Sequence, residues 1–263
     1  VIGTFNAGVA RYGDEVVLLV RVAERPVGGD PDVVLAALFD SEQGRIVTAP
    51  FDRADAENDF SDPRLIVRGG QTYLTSISHL RVARSNDGIH FTVDERPALA
   101  ASDAYESFGI EDPRVTQIGD CYYVCYVAVS PRGVTTVLAS TRDFRTFERH
   151  GVIFCPENKD VVLFPEAVDG RYCALHRPHS PLFHRNDMWI AESPDLLCWG
   201  GHRHLMGLRS GFWDETRLGA SAVPFRIDEG WLEVYHGADR DNRYCLGAVL
   251  LDDSGELSSG MPA

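Results

Sequence analysis

Ala83-Arg-Ser85-Asn-Asp87-Gly-Ile-His-Phe91, Ala139-Ser-Thr141-Arg-Asp143-Phe-Arg-Thr-Phe147 and Ala191-Glu-Ser193-Pro-Asp195-Leu-Leu-Cys-Trp199 share one pattern, A-x-[ST]-x-D-x-x-x-[FW]. Each copy reads as a turn capped by its aspartate and anchored by the aromatic residue beneath it. Two degenerate copies flank these three, Ala36-Ala-Leu-Phe-Asp40 and Ala248-Val-Leu-Leu-Asp252. The five aspartates stand 47, 56, 52 and 57 residues apart. Ahead of each copy runs a Gly-led strand, starting at Gly13, Gly70, Gly119, Gly170 and Gly230. Earlier still lie Asp62-Pro-Arg64, Asp112-Pro-Arg114 and Phe164-Pro-Glu166. The segments are short and rich in Val, Tyr, Leu and Thr, with Gly, Asp, Asn and Pro between them, which is strand-and-turn chemistry. Long amphipathic helical periodicity is missing. Units of about 50 residues holding about four strands each mark propeller blades. The repeat therefore predicts an all-β, five-bladed β-propeller forming a single domain over residues 1–263.

The bulk composition agrees with a large folded domain: 44% of residues are hydrophobic and 24% charged, so a sizeable core is within reach. No apolar run approaches the ~18 residues that span a bilayer, and no N-terminal leader pattern stands out. The formal net charge of −14 and the lack of a Lys/Arg run argue against a nucleic-acid partner. Lys159 is the only lysine. None of the six cysteines forms a C-x-x-C pair and no His stands at zinc-finger spacing. Read as buried free thiols, they fit a reducing compartment and hence a cytoplasmic location. Oligomeric state is left open.

In a propeller the innermost strand of each blade lines the axis, and its polar residues converge there. The innermost segments carry Asn6, Asp62, Arg64, Glu111, Asp112, Lys159 and Glu166; second-strand ends add Arg21, His176, Arg177, Tyr235, His236 and Asp239. Carboxylates and amides that hold hydroxyl groups, with an acid able to protonate a leaving oxygen, suit a sugar site. The plainer alternative for the Asp-Pro-Arg units is a turn stapled by its own salt bridge.

At these residues the chain resembles the β-mannoside phosphorylases and β-1,2-mannosidases of glycoside hydrolase family 130. The matching stretches are FNAG (5–8), VLLVRVAE (17–24), GIEDPRV (109–115), ENKDVVLFPE (157–166), ALHRP (174–178), MWIAESPDLLCWG (188–200) and GWLEVYHGADRDNRYCLGAVLLD (230–252). The resemblance implies a five-bladed propeller, an inverting mechanism and no cofactor. It implies that Asp112 is the proton donor, acting through a sugar hydroxyl, and that Asn6, Arg21 and Asp239 hold the mannose.

The family divides by nucleophile. An inverting hydrolase needs a base ~6.5–9.5 Å from the acid, with water between them. Glu192 and Glu233 are the candidate bases, and a carboxylate beside bound phosphate would repel it. The expectation is thus an inverting glycosidase that cleaves β-1,2-linked manno-oligosaccharides with water. The alternative is a phosphorylase using inorganic phosphate as co-substrate, for which Lys159, Arg132, Tyr235 and His236 supply part of a basic pocket. A non-catalytic glycan-binding propeller stands further off. His176, His179, His184 and Asp187 match no standard metal spacing, so no metal site is expected and this stretch reads as a substrate-contacting loop.

Overall fold

The computed structural model describes residues 1–180 and 182–258, so Pro181 and the last five residues fall outside the account. Among the described residues there are 21 strands and one three-residue 3-10 turn, Ala104–Glu106. The chain is all-β. It divides into two compact units: Val1–Pro113 with Val127–Val134, and Arg114–Tyr126 with the chain from Thr135 onward.

Unit 1 begins with β1 (Gly3–Tyr12) and β2 (Glu15–Glu24). A hairpin, β3 (Val33–Asp40) with β4 (Arg45–Asp52), and a three-stranded sheet of β5 (Asn58–Asp59), β6 (Leu65–Arg68) and β7 (Gln71–Leu74) follow. The chain then returns as β8 (Ile77–Ser85), which pairs with β2 along its whole length, and β9 (Thr92–Val93), giving the order β1-β2-β8-β9. Val17, Leu19, Leu80 and Val82 are fully buried on this sheet. Ala36, Phe51 and Ile66 form a separate small core between the hairpin and the three-stranded sheet. The next sheet runs β10 (Ile110–Ile118), β11 (Cys121–Ser130), β12 (Gly133–Thr141) and β13 (Glu148–Phe154), and its strands are shared between the two units.

Unit 2 continues with a sheet of β14 (Asn158–Leu163), β15 (Tyr172–Pro178), β16 (Met188–Ser193) and β17 (Gly200–Met206) in chain order. The last sheet places β18 (Arg217–Ala220) and β19 (Phe225–Ile227) on β20 (Gly230–Ala238), which also pairs with β21 (Tyr244–Leu251). Phe164, Ile190, Trp231, Tyr235 and Leu251 join these two sheets in one apolar core.

The repeat turns form as read. Asp87 Oδ1 accepts from the amides of Ile89 and His90, Asp143 Oδ1 from Arg145 and Thr146, and Asp195 Oδ1 from Leu197 and Cys198. In Asp143 these amides, with Thr146 first, hold the carboxyl down at about 2. Asp40 makes the same cap on Glu42 and Gln43, yet it closes the β3–β4 hairpin rather than a four-stranded sheet. The described residues hold four four-stranded sheets, beside the two-stranded β3–β4 and the three-stranded β5-β6-β7 sheets. A capped turn is a local device, and any hairpin can use one. All six cysteines are free, but only Cys125 and Cys173 are buried, and Cys155 and Cys198 are exposed.

Candidate active site

Three innermost strands share one backbone irregularity. Asn6 on β1, Asp112 on β10 and Asp160 on β14 have φ of 42°, 46° and 55°. The pairing register slips around two of them, between Phe5 and Gly8 and between Lys159 and Val162. Asn and Asp tolerate the left-handed region better than other non-glycine residues. A bulge there re-aims the side chain out of the strand's alternation, and such strain gathers at functional sites.

Within unit 1, Arg21 is the hub. Its Nη1 donates to Asp112 Oδ1 at 2.9 Å, its Nη2 to Glu111 Oε1 at 2.6 Å and its Nε to Ser78 Oγ at 3.1 Å. The guanidinium carbon lies 5.3 Å from the Phe5 ring centroid. Asn6 Nδ2 donates to the same Asp112 Oδ1 at 2.9 Å. The backbone explains this meeting. Arg21 stands opposite Phe5 on β1 and Leu80 on β8, and a parallel bridge from Ser78 to Gly109 draws the start of β10 alongside. A Cβ at Gly109 would lie 2.7 Å from both the nitrogen and the oxygen of Ser78, so only glycine allows that approach. Asn6, Arg21, Glu111 and Asp112 thus come together as the sequence suggests. The Glu-Asp-Pro-Arg segment is no self-stapled turn, because both carboxylates face Arg21.

Within unit 2, a second polar group forms around Asp160. Arg177 donates to Asp160 Oδ2 from Nε at 2.8 Å and from Nη2 at 2.7 Å, and His236 Nε2 lies 3.3 Å from the same oxygen. Ser221 Oγ contacts His236 Nδ1 at 2.8 Å. Burial opposes ionisation of Asp160, but Arg177 and then His236 outweigh it and hold the carboxyl well below its ordinary range. Lys159 stands beside Arg177 in the β14–β15 register. A Cβ on Gly219 would collide with Asp160 and His236, so glycine there leaves room for both side chains. Sequence reading passed over Asp160 and Ser78. Asp160 lay inside a quoted stretch, but its partners come from β15 and β20 and leave no mark in local spacing.

The other expected site residues have local surroundings of their own. Asp62 accepts three bonds from the guanidinium of Arg64 and one from its amide, so this Asp-Pro-Arg is the stapled turn. Hydrogen bonds from the Arg64 side chain, then from its amide, hold Asp62 at about 2. Asp239 accepts from the amides of Asp241 and Arg243 and so shapes its own loop. Glu166 is exposed in the turn past the far end of β14 from Lys159. His176 is buried between Asn158 and His202 and stacked on Phe154; burial, then His202, pushes it down to about 3. Tyr235 lies in the core, stacked on Trp213 with its hydroxyl donating to Asp214.

The two candidate bases are also committed. Glu192 receives Arg203 at 2.6 Å and pairs across to Cys173, the residue that bonds Phe164 beyond the far end of β14. Glu233 is fully buried on the Trp231 and Tyr235 face of β20, with the Ser221 amide donating to its Oε1 at 3.2 Å. Burial pushes its carboxyl well above the usual range. A neutral, sealed carboxyl is a poor base for water. Arg132 is exposed in the β11–β12 turn. His179 contacts Asn186, while Asp187 receives Arg185 and His204.

A family profile described as β-1,4-mannooligosaccharide phosphorylase, that of glycoside hydrolase family 130, matches residues 63–262. The chain belongs to this family and is an enzyme that acts on glycosides. It is 52% identical over 256 residues to a β-1,2-mannobiose phosphorylase of Listeria innocua, covering 96% of this chain and 72% of the relative. A structure of the Listeria innocua β-1,2-mannobiose phosphorylase in complex with β-1,2-mannobiose superposes with a TM-score of 0.92 at 51% identity, over 96% of this chain and 73% of that one. A 1,2-β-oligomannan phosphorylase of Thermoanaerobacter is 37% identical over 67% of this chain and 58% of its own length.

Proposed function

We propose that this chain is a β-1,2-mannoside phosphorylase, with inorganic phosphate rather than water as the nucleophile. The observation that carries the reading is the 52% identity with a β-1,2-mannobiose phosphorylase across nearly the whole chain. The structure supplies a physical reason to prefer it over hydrolysis. Glu192 is held by Arg203 and Glu233 is buried, so neither is free to activate water.

Asp112 is the acid in this reading. The mannosyl C1–O bond breaks, and the departing oxygen takes a proton from Asp112 by way of a sugar hydroxyl. A phosphate oxygen forms the new bond to C1 from the opposite face, so the configuration inverts. Net, the proton of hydrogenphosphate ends on the released mannose, and the other product is mannose 1-phosphate. Arg21 and Asn6 orient Asp112 and meet the mannose hydroxyls. Lys159 and Arg177 supply positive charge for phosphate, and His236 a further hydrogen-bonding group. Asp160 fixes Arg177 and His236 in place and offsets part of the Arg177 charge.

The fold belongs to the same proposal. Four four-stranded sheets in chain order support a β-propeller whose blades are these sheets. For the fifth blade of a five-bladed propeller, the candidate is the β3–β4 hairpin with the β5-β6-β7 sheet, which share one small core.

Lys159→Gln tests the nucleophile. It should raise the phosphate concentration for half-maximal turnover at least tenfold while the affinity for β-1,2-mannobiose stays within about twofold. Turnover independent of phosphate in the parent protein would sink the reading.

A further inference from the structure

Past the end of β2 lies a cavity of about 300 Å³, lined among others by Arg25, Arg53, Phe60, Asp62 and Thr75, all within unit 1. Its size sits at the low end of the roughly 300–1,000 Å³ of small-molecule sites. Strand geometry ties it to the acid. Arg25 follows Arg21 by four residues, about 13 Å of extended chain, and Thr75 precedes Ser78, the partner of Arg21, by three. The cavity is thus reached by continuing along β2 and β8 away from Asp112.

The lining suits a neutral polyol. The Phe60 ring is packed on the small core of Ala36, Phe51 and Ile66, which fixes it as an apolar part of the cavity wall. Arg53 is held against that ring, 5.7 Å from its centroid, with its Nε donating to the Pro31 carbonyl. Arg25 and Arg53 offer donors to hydroxyl groups. Asp62, fixed as a carboxylate by Arg64, offers acceptors and discourages a second anion.

We propose that this cavity is a distal sugar subsite, binding one mannose unit beyond the pair whose linkage is cleaved, so that the protein favours oligosaccharides over the disaccharide. The inference rests on the β-mannoside reading above but not on the choice of nucleophile. The test is calorimetric titration without phosphate, using β-1,2-mannobiose and β-1,2-mannotetraose. The parent should bind the tetraose about tenfold tighter than the biose, the size of effect a single well-placed anchor carries. Phe60→Ala and, separately, the exposed Arg53→Ala should cut that ratio to within about twofold. Equal affinities in the parent, or a ratio left intact in both variants, would overturn the subsite. A phosphorolysis assay of the same preparations reports on the nucleophile, so the two failures are distinguishable.

Discussion

Oδ1 of Asp112 accepts from both Asn6 and Arg21, and no hydrogen bond among the described residues reaches Oδ2. One oxygen is thus held while the other stays open to a sugar hydroxyl. The left-handed φ of 46° sets that orientation, and Asn adopts this region as readily as Asp does. Asp112→Asn should therefore keep the fold and the Asn6 and Arg21 contacts while removing the proton. Turnover is expected to fall about 10²–10⁴-fold, with β-1,2-mannobiose affinity within a few-fold of the parent. Turnover within tenfold of the parent would remove Asp112 as the acid. The sequence showed this residue as one of several polar residues on the innermost segments, and only the family resemblance singled it out as the acid. Glu233 misled because a carboxylate in an apolar strand draws notice whether it acts or is merely buried. Alternation decides, since it shares a face with Trp231 and Tyr235.

At the scale of the element, the strands do two jobs at once. Their alternation builds the cores, and their irregularities aim the site. The regular part was written locally: Ser/Thr-x-Asp turns cap each third strand through amide hydrogen bonds only two or three residues away. The irregular part was not. The bulges at Asn6 and Asp160, and the grouping of Asp160 with Arg177 and His236, depend on residues brought in from neighbouring strands. Gly109 is the clearest case. Its φ is 100°, and its Cα faces the Ser78 backbone, whose side chain holds Arg21. Gly109→Ala imposes backbone strain and a clash together. It should cost roughly 2–4 kcal/mol of stability, read as a lowered urea midpoint. Activity should fall through misplacement of Arg21. An unchanged midpoint would show that the bridge to β8 yields without cost.

For the whole molecule, the aspartate repeat gave the all-β class of fold, and at its first copy Asp40 caps the β3–β4 hairpin rather than a four-stranded sheet. The net charge of −14 coexists with a local basic group at Lys159, Arg177 and His236. Binding of an anionic co-substrate is thus a matter of placement rather than overall charge. The central claim is that phosphate takes the mannosyl group. Phosphorus NMR of the protein with β-1,2-mannobiose and inorganic phosphate reads this directly. The account requires the phosphate signal to convert into that of α-mannose 1-phosphate, one equivalent for each mannose released. Mannose accumulating while the phosphate signal stays unchanged would contradict it.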